Sequence, residues 1–163
     1  TLKAYAEYVR RSENPLPLLV ADLGEQPAEA ILREIGEPRL RGMLRLAGYI
    51  PNSDLPAIYN RASAFLYTSL RESFGIPQLE AMACGTPVVT SATSAIPEVA
   101  GEGAILVDPT DPKAIADALL RLETDAAFRA RQVAYGLDRV KQFSWEKTAR
   151  HLLALYESLG KTN

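Results

Sequence analysis

Two carboxylates stand on either side of a glycine in the stretch Arg71-Glu-Ser-Phe-Gly-Ile-Pro-Gln-Leu-Glu80. Gly75 has no Cβ and takes positive φ freely, so the backbone there can approach a ligand closely. Pro77 presets a first helical turn. The free N–H groups and the positive end of the helix dipole then face whatever the loop holds, a favourable place for a phosphate. A carboxylate is repelled by a phosphate, so Glu72 and Glu80 must serve other parts of the ligand. Carboxylates accept hydrogen bonds from paired hydroxyls, such as those of ribose or a hexose. A diphosphate at the helix mouth, with a hydroxyl-rich ring on either side, satisfies all three features; that ligand is a nucleotide diphosphate sugar. Arg71 suits solvent and phosphate equally.

The elements that must position these residues alternate between short apolar runs and helix-period segments. Leu2, Tyr5, Ala6 and Val9 form one helical stripe, ended by Asn14-Pro15. A strand is expected over Leu16–Ala21, and a second helix on Ala28, Ile31, Leu32 and Ile35. The next strand spans Met43–Ala47, with Gly48 as its turn. Ser53-Asp54 supply N-cap candidates for a short helix on Leu55, Ile58 and Tyr59. Ala64–Tyr67 reads as a strand and Pro77–Cys84 as a helix closed by Gly85; Pro87–Thr90 and Ala104–Val107 read as strands. Asp111-Pro112 opens a helix on Ile115, Ala118, Leu119 and Leu122, and Ala130, Val133, Ala134 and Leu137 mark another. The last helix starts near Ser144 and is expected to bury Leu152, Leu155, Tyr156 and Leu159. Such alternation predicts an α/β fold, a Rossmann-like parallel sheet flanked by helices, its strands apolar enough for burial on both faces. Ligands of such sheets bind at the carboxyl ends of the strands, where the Thr68–Ile76 loop lies. One domain over residues 1–163 is expected, with a helical tail from about residue 125.

With 163 residues, 47% hydrophobic and 23% charged, the chain is of ordinary globular composition, which excludes a disordered or disulfide-stapled chain. Eighteen basic against twenty acidic residues, a net charge of −2, argues against nucleic acid as the partner. The lone Cys84 cannot make an internal disulfide and fits a reducing compartment, where it reads as a buried apolar thiol. His151, the only histidine, reads as structural or surface. Phe143 and Trp145 read as anchors of the last helix. Tyr5, Tyr8, Tyr59, Tyr135 and Tyr156 read as packing residues. The chain opens Thr1-Leu2-Lys3 with no Met, inside a helical pattern, and reads as a piece of something longer.

Glu72 and Glu80 have seven residues between them, and the run continues Ala81-Met-Ala-Cys-Gly-Thr-Pro-Val-Val89. This closely resembles the donor-site signature of retaining GT-B glycosyltransferases of family 4, in their C-terminal domain. Gly48-Tyr49-Ile50, Ile96-Pro97-Glu98-Val99, Ala104-Ile-Leu-Val-Asp-Pro109 and Phe143-Ser144-Trp145 follow the same family order. One departure is Ser94-Ala95, where the family commonly has glycine before Ile-Pro-Glu-Val.

The resemblance implies that Glu80 holds the ribose hydroxyls and that Glu72, the catalytic candidate, faces the donor sugar. Ser73, Phe74, Gly75 and Ile76 would surround sugar and diphosphate, and Gly48, Tyr49 and Ile50 would meet the base. Transfer of a hexosyl group with retention is implied, with no metal and no cofactor beyond the nucleotide-sugar substrate. Stabilisation of positive charge on the sugar is favoured over nucleophilic attack for Glu72. GDP-mannose is slightly favoured over UDP- and ADP-hexoses. The acceptor would be a saccharide or lipid-linked molecule in polysaccharide or glycolipid assembly, bound through an N-terminal domain outside this chain. The setting implied is cytoplasmic, with peripheral association at the inner membrane face as an option for the whole enzyme. The family's domain also starts with a central strand, between Leu16–Ala21 and Ala64–Tyr67, whose exit carries an Arg and a Lys for the diphosphate. That strand is not in this sequence, so the flanking strands pair directly, a segment of another chain fills the slot, or the strand precedes Thr1. The 163-residue chain alone is expected to transfer nothing. The alternatives are an epimerase-like isomerase and a non-catalytic nucleotide-binding or scaffolding module.

Overall fold

A computed structural model of the chain describes residues 1–160; the last three positions of the expected domain lie outside them. The elements run α1 (Leu2–Arg11), β1 (Leu18–Ala21), α2 (Glu25–Ile35), α3 (Leu40–Met43), β2 (Leu44–Gly48), α4 (Leu55–Arg61), β3 (Phe65–Tyr67) and α5 (Ile76–Ala83). They continue with β4 (Val88–Ser91), α6 (Ile96–Ala100), a 3-10 turn (Gly101–Gly103), β5 (Ala104–Val107), α7 (Pro112–Thr124), α8 (Ala126–Val140) and α9 (Trp145–Gly160).

Local chemistry explains most of the boundaries. The Asp111 carboxylate accepts from the N–H groups of Lys113 and Ala114, and Pro112 occupies the first turn of α7. Asp125 caps α8 by accepting from the Phe128 N–H. Gly36, in the left-handed region, ends α2. The expected cap at Ser53-Asp54 does not form: Asp54 is helical and its carboxylate accepts from the Ser53 hydroxyl instead of from α4.

All strands are parallel, in two sections ordered β1-β2 and β3-β4-β5. The sheet divides between β1 and β3, the strands expected to flank a central one. They do not pair directly, which removes the first of the three ways of closing that gap. Helix α1 joins the sections. Its Tyr5, Ala6, Tyr8 and Val9 cluster with Leu40, Leu44 and Ala116, while its Ala4 clusters with Val89, Val107 and Ile115. Its N-cap residue, Thr1, lies beside the exit of β3, where the Thr1 and Thr68 hydroxyls are 2.5 Å apart.

Two burial expectations are corrected. Only β4 is buried along its whole length; β1, β2 and β3 are partly exposed, and β1 and β3 each lack a neighbour on one edge. Helix α9 forms as the periodicity predicts but buries none of its residues: Leu152, Leu155, Tyr156 and Leu159 are all exposed. Trp145, 79% exposed, anchors nothing, and Tyr135 and Tyr156 are likewise exposed, whereas Tyr5, Tyr8 and Tyr59 are packed. Periodicity marks a face fit for burial and carries no information on what covers it.

The divided sheet makes a dynamic prediction. Amide exchange should be slowest in β4, bonded on both sides, and at least about tenfold faster in β1, which opens with its smaller section. Equal protection of the two strands, measured by hydrogen–deuterium exchange, contradicts a divided sheet.

Candidate functional site

The loop between β3 and α5 is tied down along its length by one short segment. Thr90 Oγ1 donates to the carbonyl of Tyr67 (3.0 Å), Ser91 Oγ to that of Ser69 (2.5 Å) and Thr93 Oγ1 to that of Leu70 (3.3 Å). Ser94 Oγ donates to the Glu72 carbonyl (2.6 Å) and accepts from the Glu72 N–H (3.2 Å). Ser94 sits at φ 60°, a left-handed conformation that costs a non-glycine residue about 1–2 kcal/mol.

The loop ends at Gly75, φ 88°, from which α5 departs with Pro77 in its first turn. A Cβ on Gly75 would lie 2.9 Å from Nε2 of Gln78 and 3.5 Å from the Tyr67 ring. Gln78 is fully buried beneath the loop; its Nε2 donates to the Phe74 carbonyl at 3.4 Å and its Oε1 has no partner. The start of α5 is therefore floored by glycine over a buried glutamine, with Glu72 on the loop that leads into it and Glu80 one turn along the helix.

The glutamates have matching supports. Tyr67, the last residue of β3, donates its O–H to Glu72 Oε1 at 2.6 Å. That bond, with one from the Ser69 hydroxyl, holds the Glu72 carboxyl below the usual carboxylate range, so it is ionised at neutral pH. Burial, and then the neighbouring Glu72 charge, push the Tyr67 phenol up, so it stays a donor. On α4, the Tyr59 O–H reaches toward Glu80 Oε2 at 3.5 Å, and burial followed by the Glu80 charge pushes its pKa up to about 12. Phe65 sits between the two tyrosines, 5.1 Å edge-on to Tyr59 and 5.7 Å stacked on Tyr67. One aromatic row thus backs both carboxylates.

The structure places Glu72, Ser73, Phe74, Gly75 and Ile76 on this loop and at the start of α5, and Glu80 one turn further along the helix, beside Tyr59 of α4. Glu72 is half-buried; Ser73, Phe74, Ile76 and Glu80 are exposed, and Arg71 is exposed on the same loop. Gly48, Tyr49 and Ile50 lie elsewhere, at the carboxyl end of β2 in the other sheet section. Gly48 has φ 61° and its carbonyl accepts from the Asp22 N–H at 2.9 Å, which links the exits of β1 and β2. Phe143 does not merely anchor α9; its ring meets Phe74 edge-on at 5.8 Å, joining the tail to the site loop. His151 is exposed on α9, and Cys84 is a partly buried free thiol against the Met82 cluster. Among the described residues no group of three or more His, Cys, Asp or Glu is placed to hold a metal ion. No described helix is long and apolar enough to cross a membrane.

Sequence reasoning missed Tyr67, Gln78 and the working role of Tyr59. It noted Ser94 as a departure without seeing its contacts. Tyr67 carries one usable signal: it is the last residue of the strand that leads into the loop bearing Glu72.

Comparison with known proteins decides the family. The family profile described as glycosyl transferases group 1 matches residues 1–139. The chain belongs to that family. The domain is 35% identical over 158 residues to O-antigen chain mannosyltransferase B of Escherichia coli, covering 97% of this chain and 42% of that protein. It therefore spans about two-fifths of that relative's length. Among solved structures it superposes on the C-terminal domain of a glycosyl transferase group 1 protein, LpcC of Francisella tularensis, with a TM-score of 0.71 and 25% identity, covering 86% of this chain and 75% of that one. Anabaena HepE, solved with UDP, shares the fold at a TM-score of 0.81 and 19% identity, over 95% of this chain and 44% of that one. This glycosyltransferase domain has the architecture of the C-terminal part of the GT-B fold.

The floor of the mouth can be tested by Gly75→Ala. The left-handed backbone alone should cost about 1–2 kcal/mol in chemical denaturation, with further loss as Gln78 is displaced. A variant as stable as the original contradicts the geometry given for residue 75.

Proposed function

We propose that this domain is the donor-binding half of a retaining hexosyltransferase that takes its sugar from a nucleotide diphosphate sugar. The observation that carries the reading is the pair Glu72 and Glu80, each beside a tyrosine at one end of a single aromatic row, around the mouth of α5. In this reading the diphosphate lies against the backbone of Gly75, Ile76 and the first turn of α5. Glu80 accepts hydrogen bonds from the ribose hydroxyls, and Ser73, Phe74 and Ile76 surround the sugar and phosphates. Gly48, Tyr49 and Ile50 meet the base across the two sheet sections.

Glu72 faces the sugar ring. Because its carboxyl is ionised and one oxygen is occupied by the Tyr67 phenol, it does not act as a proton donor at neutral pH. It stabilises the positive charge that develops at the anomeric carbon as the nucleotide leaves, an attraction strengthened once a closed cleft excludes water. No residue of this domain is assigned as a metal ligand in that scheme.

The donor is GDP-mannose, a choice supported by likeness to an Escherichia coli mannosyltransferase. A nucleotide donor is also in keeping with the UDP found in Anabaena HepE, which shares the fold. The acceptor is a saccharide or lipid-linked chain of polysaccharide assembly, brought by an N-terminal domain of a longer enzyme working in the cytoplasm or at its membrane face. Residues 1–163 form one donor domain of that enzyme, its tail helical from about residue 125.

Calorimetry of the whole enzyme with GDP, UDP and ADP tests the donor assignment, and GDP should bind tightest. Glu80→Ala should weaken nucleotide binding by about tenfold or more, the worth of a charged hydrogen bond. Unchanged affinity contradicts the ribose role. The 163-residue chain alone should show no donor-dependent transfer, and measured turnover by it contradicts the half-site reading.

A further inference from the structure

The run Thr90-Ser-Ala-Thr-Ser94 places four hydroxyls where they meet four carbonyls of the Tyr67–Glu72 stretch, and Ser94 is the only one of the four at positive φ. Its hydroxyl both donates to and accepts from the Glu72 backbone, so the strained conformation is held where it fixes the residue bearing the carboxylate. The carboxylate itself is fixed by a second, separate bond from Tyr67. Neither Tyr67 nor Ser94 need touch a ligand for this to work.

We propose that Tyr67 and Ser94 are positioning residues for Glu72, one fixing its carboxylate and the other its backbone, so that the carboxylate is aimed at the donor sugar before the donor arrives. The proposal rests on the transferase reading for its consequence in catalysis, and on hydrogen-bond geometry alone for the hold on Glu72. Glycine at position 94 accommodates φ 60° without strain but loses the hydroxyl. The strain that serine carries at this position in this chain is offset by what its hydroxyl holds. The two bonds act on different atoms of one residue, so losing either one leaves Glu72 a degree of freedom that the other does not restrain.

The titratable groups around the Glu72 carboxyl are Tyr67 from β3 and, at the far end of the aromatic row, Tyr59 and Glu80; Arg71 is its charged neighbour on the loop. Removal of the Tyr67 phenol takes away the largest influence keeping that carboxyl ionised, so its titration moves upward.

Two variants and two readouts test this. In the whole enzyme, Ser94→Gly and Tyr67→Phe should each lower kcat roughly ten- to a hundredfold, as misplacement of a reacting group does. The donor KM should change by no more than about twofold, since the loss falls on the transition state. Ser94→Gly should at the same time leave the melting temperature unchanged or raise it, which a merely structural serine would not do. Tyr67→Phe should move the acid limb of the kcat profile to higher pH. In the 163-residue chain, carboxyl-carbon NMR should show the Glu72 titration moving up in Tyr67→Phe. Full kcat in both variants overturns the proposal, as does a Ser94→Gly variant whose activity falls only in step with lost stability. An unmoved Glu72 titration overturns the Tyr67 half regardless of activity. If the unsubstituted enzyme transfers no sugar, the transferase reading fails instead, and the NMR titration still decides whether Tyr67 holds Glu72.

Discussion

A phenol and a carboxylate 2.6 Å apart at the exit of β3 set the character of this site. The phenol is kept neutral by burial and by the charge beside it, and the carboxylate is kept ionised by the phenol. Each group therefore reinforces the form the other already holds at neutral pH. Glu72 has Oε1 committed to the phenol, at a place where backbone N–H groups open from α5. The ion is half-buried rather than sealed, so holding it charged is not costly in the open domain; its influence grows when a ligand or another domain excludes water.

The surrounding fold serves that arrangement. Strand β4 is the one strand buried throughout, and it is the one from which the hydroxyls run out to fix the loop. Gly75 and Gln78 supply the floor, Phe65 aligns the two tyrosines, and Phe143 brings the end of the α8 region against Phe74. The β3-β4-β5 section thus holds all of the helix mouth. Gly48–Ile50 belong to the β1-β2 section, so their placement relative to the loop depends on α1 and α7, which pack against both sections.

What was legible in the sequence follows from how local each signal is. Asp111-Pro112 and Gly85 act within a turn of themselves, and the elements they bound lie where they were expected. The short helices Leu40–Met43 and Ile96–Ala100 were not read, because four or five residues are too few to show a period. The acidic pair was legible through its spacing about a glycine and a proline. Its supports were not: Tyr67 meets Glu72 only because the loop turns back on the end of β3, and Ser94, twenty-two residues on, meets it only through β3–β4 pairing. The apolar face of α9 was correctly periodic and wrongly taken as buried, since burial depends on a second surface that the period does not describe.

The central claim is that one nucleotide sugar spans the mouth of α5, with an acidic side chain at each end. A crystal structure of the whole enzyme with an intact donor tests it most directly. The account predicts the ribose hydroxyls within hydrogen-bond distance of Glu80, the diphosphate over the first turn of α5, and the sugar ring against the Glu72 carboxylate. A donor bound in reverse, or seated away from Gly75 with either glutamate pointing to solvent, contradicts it.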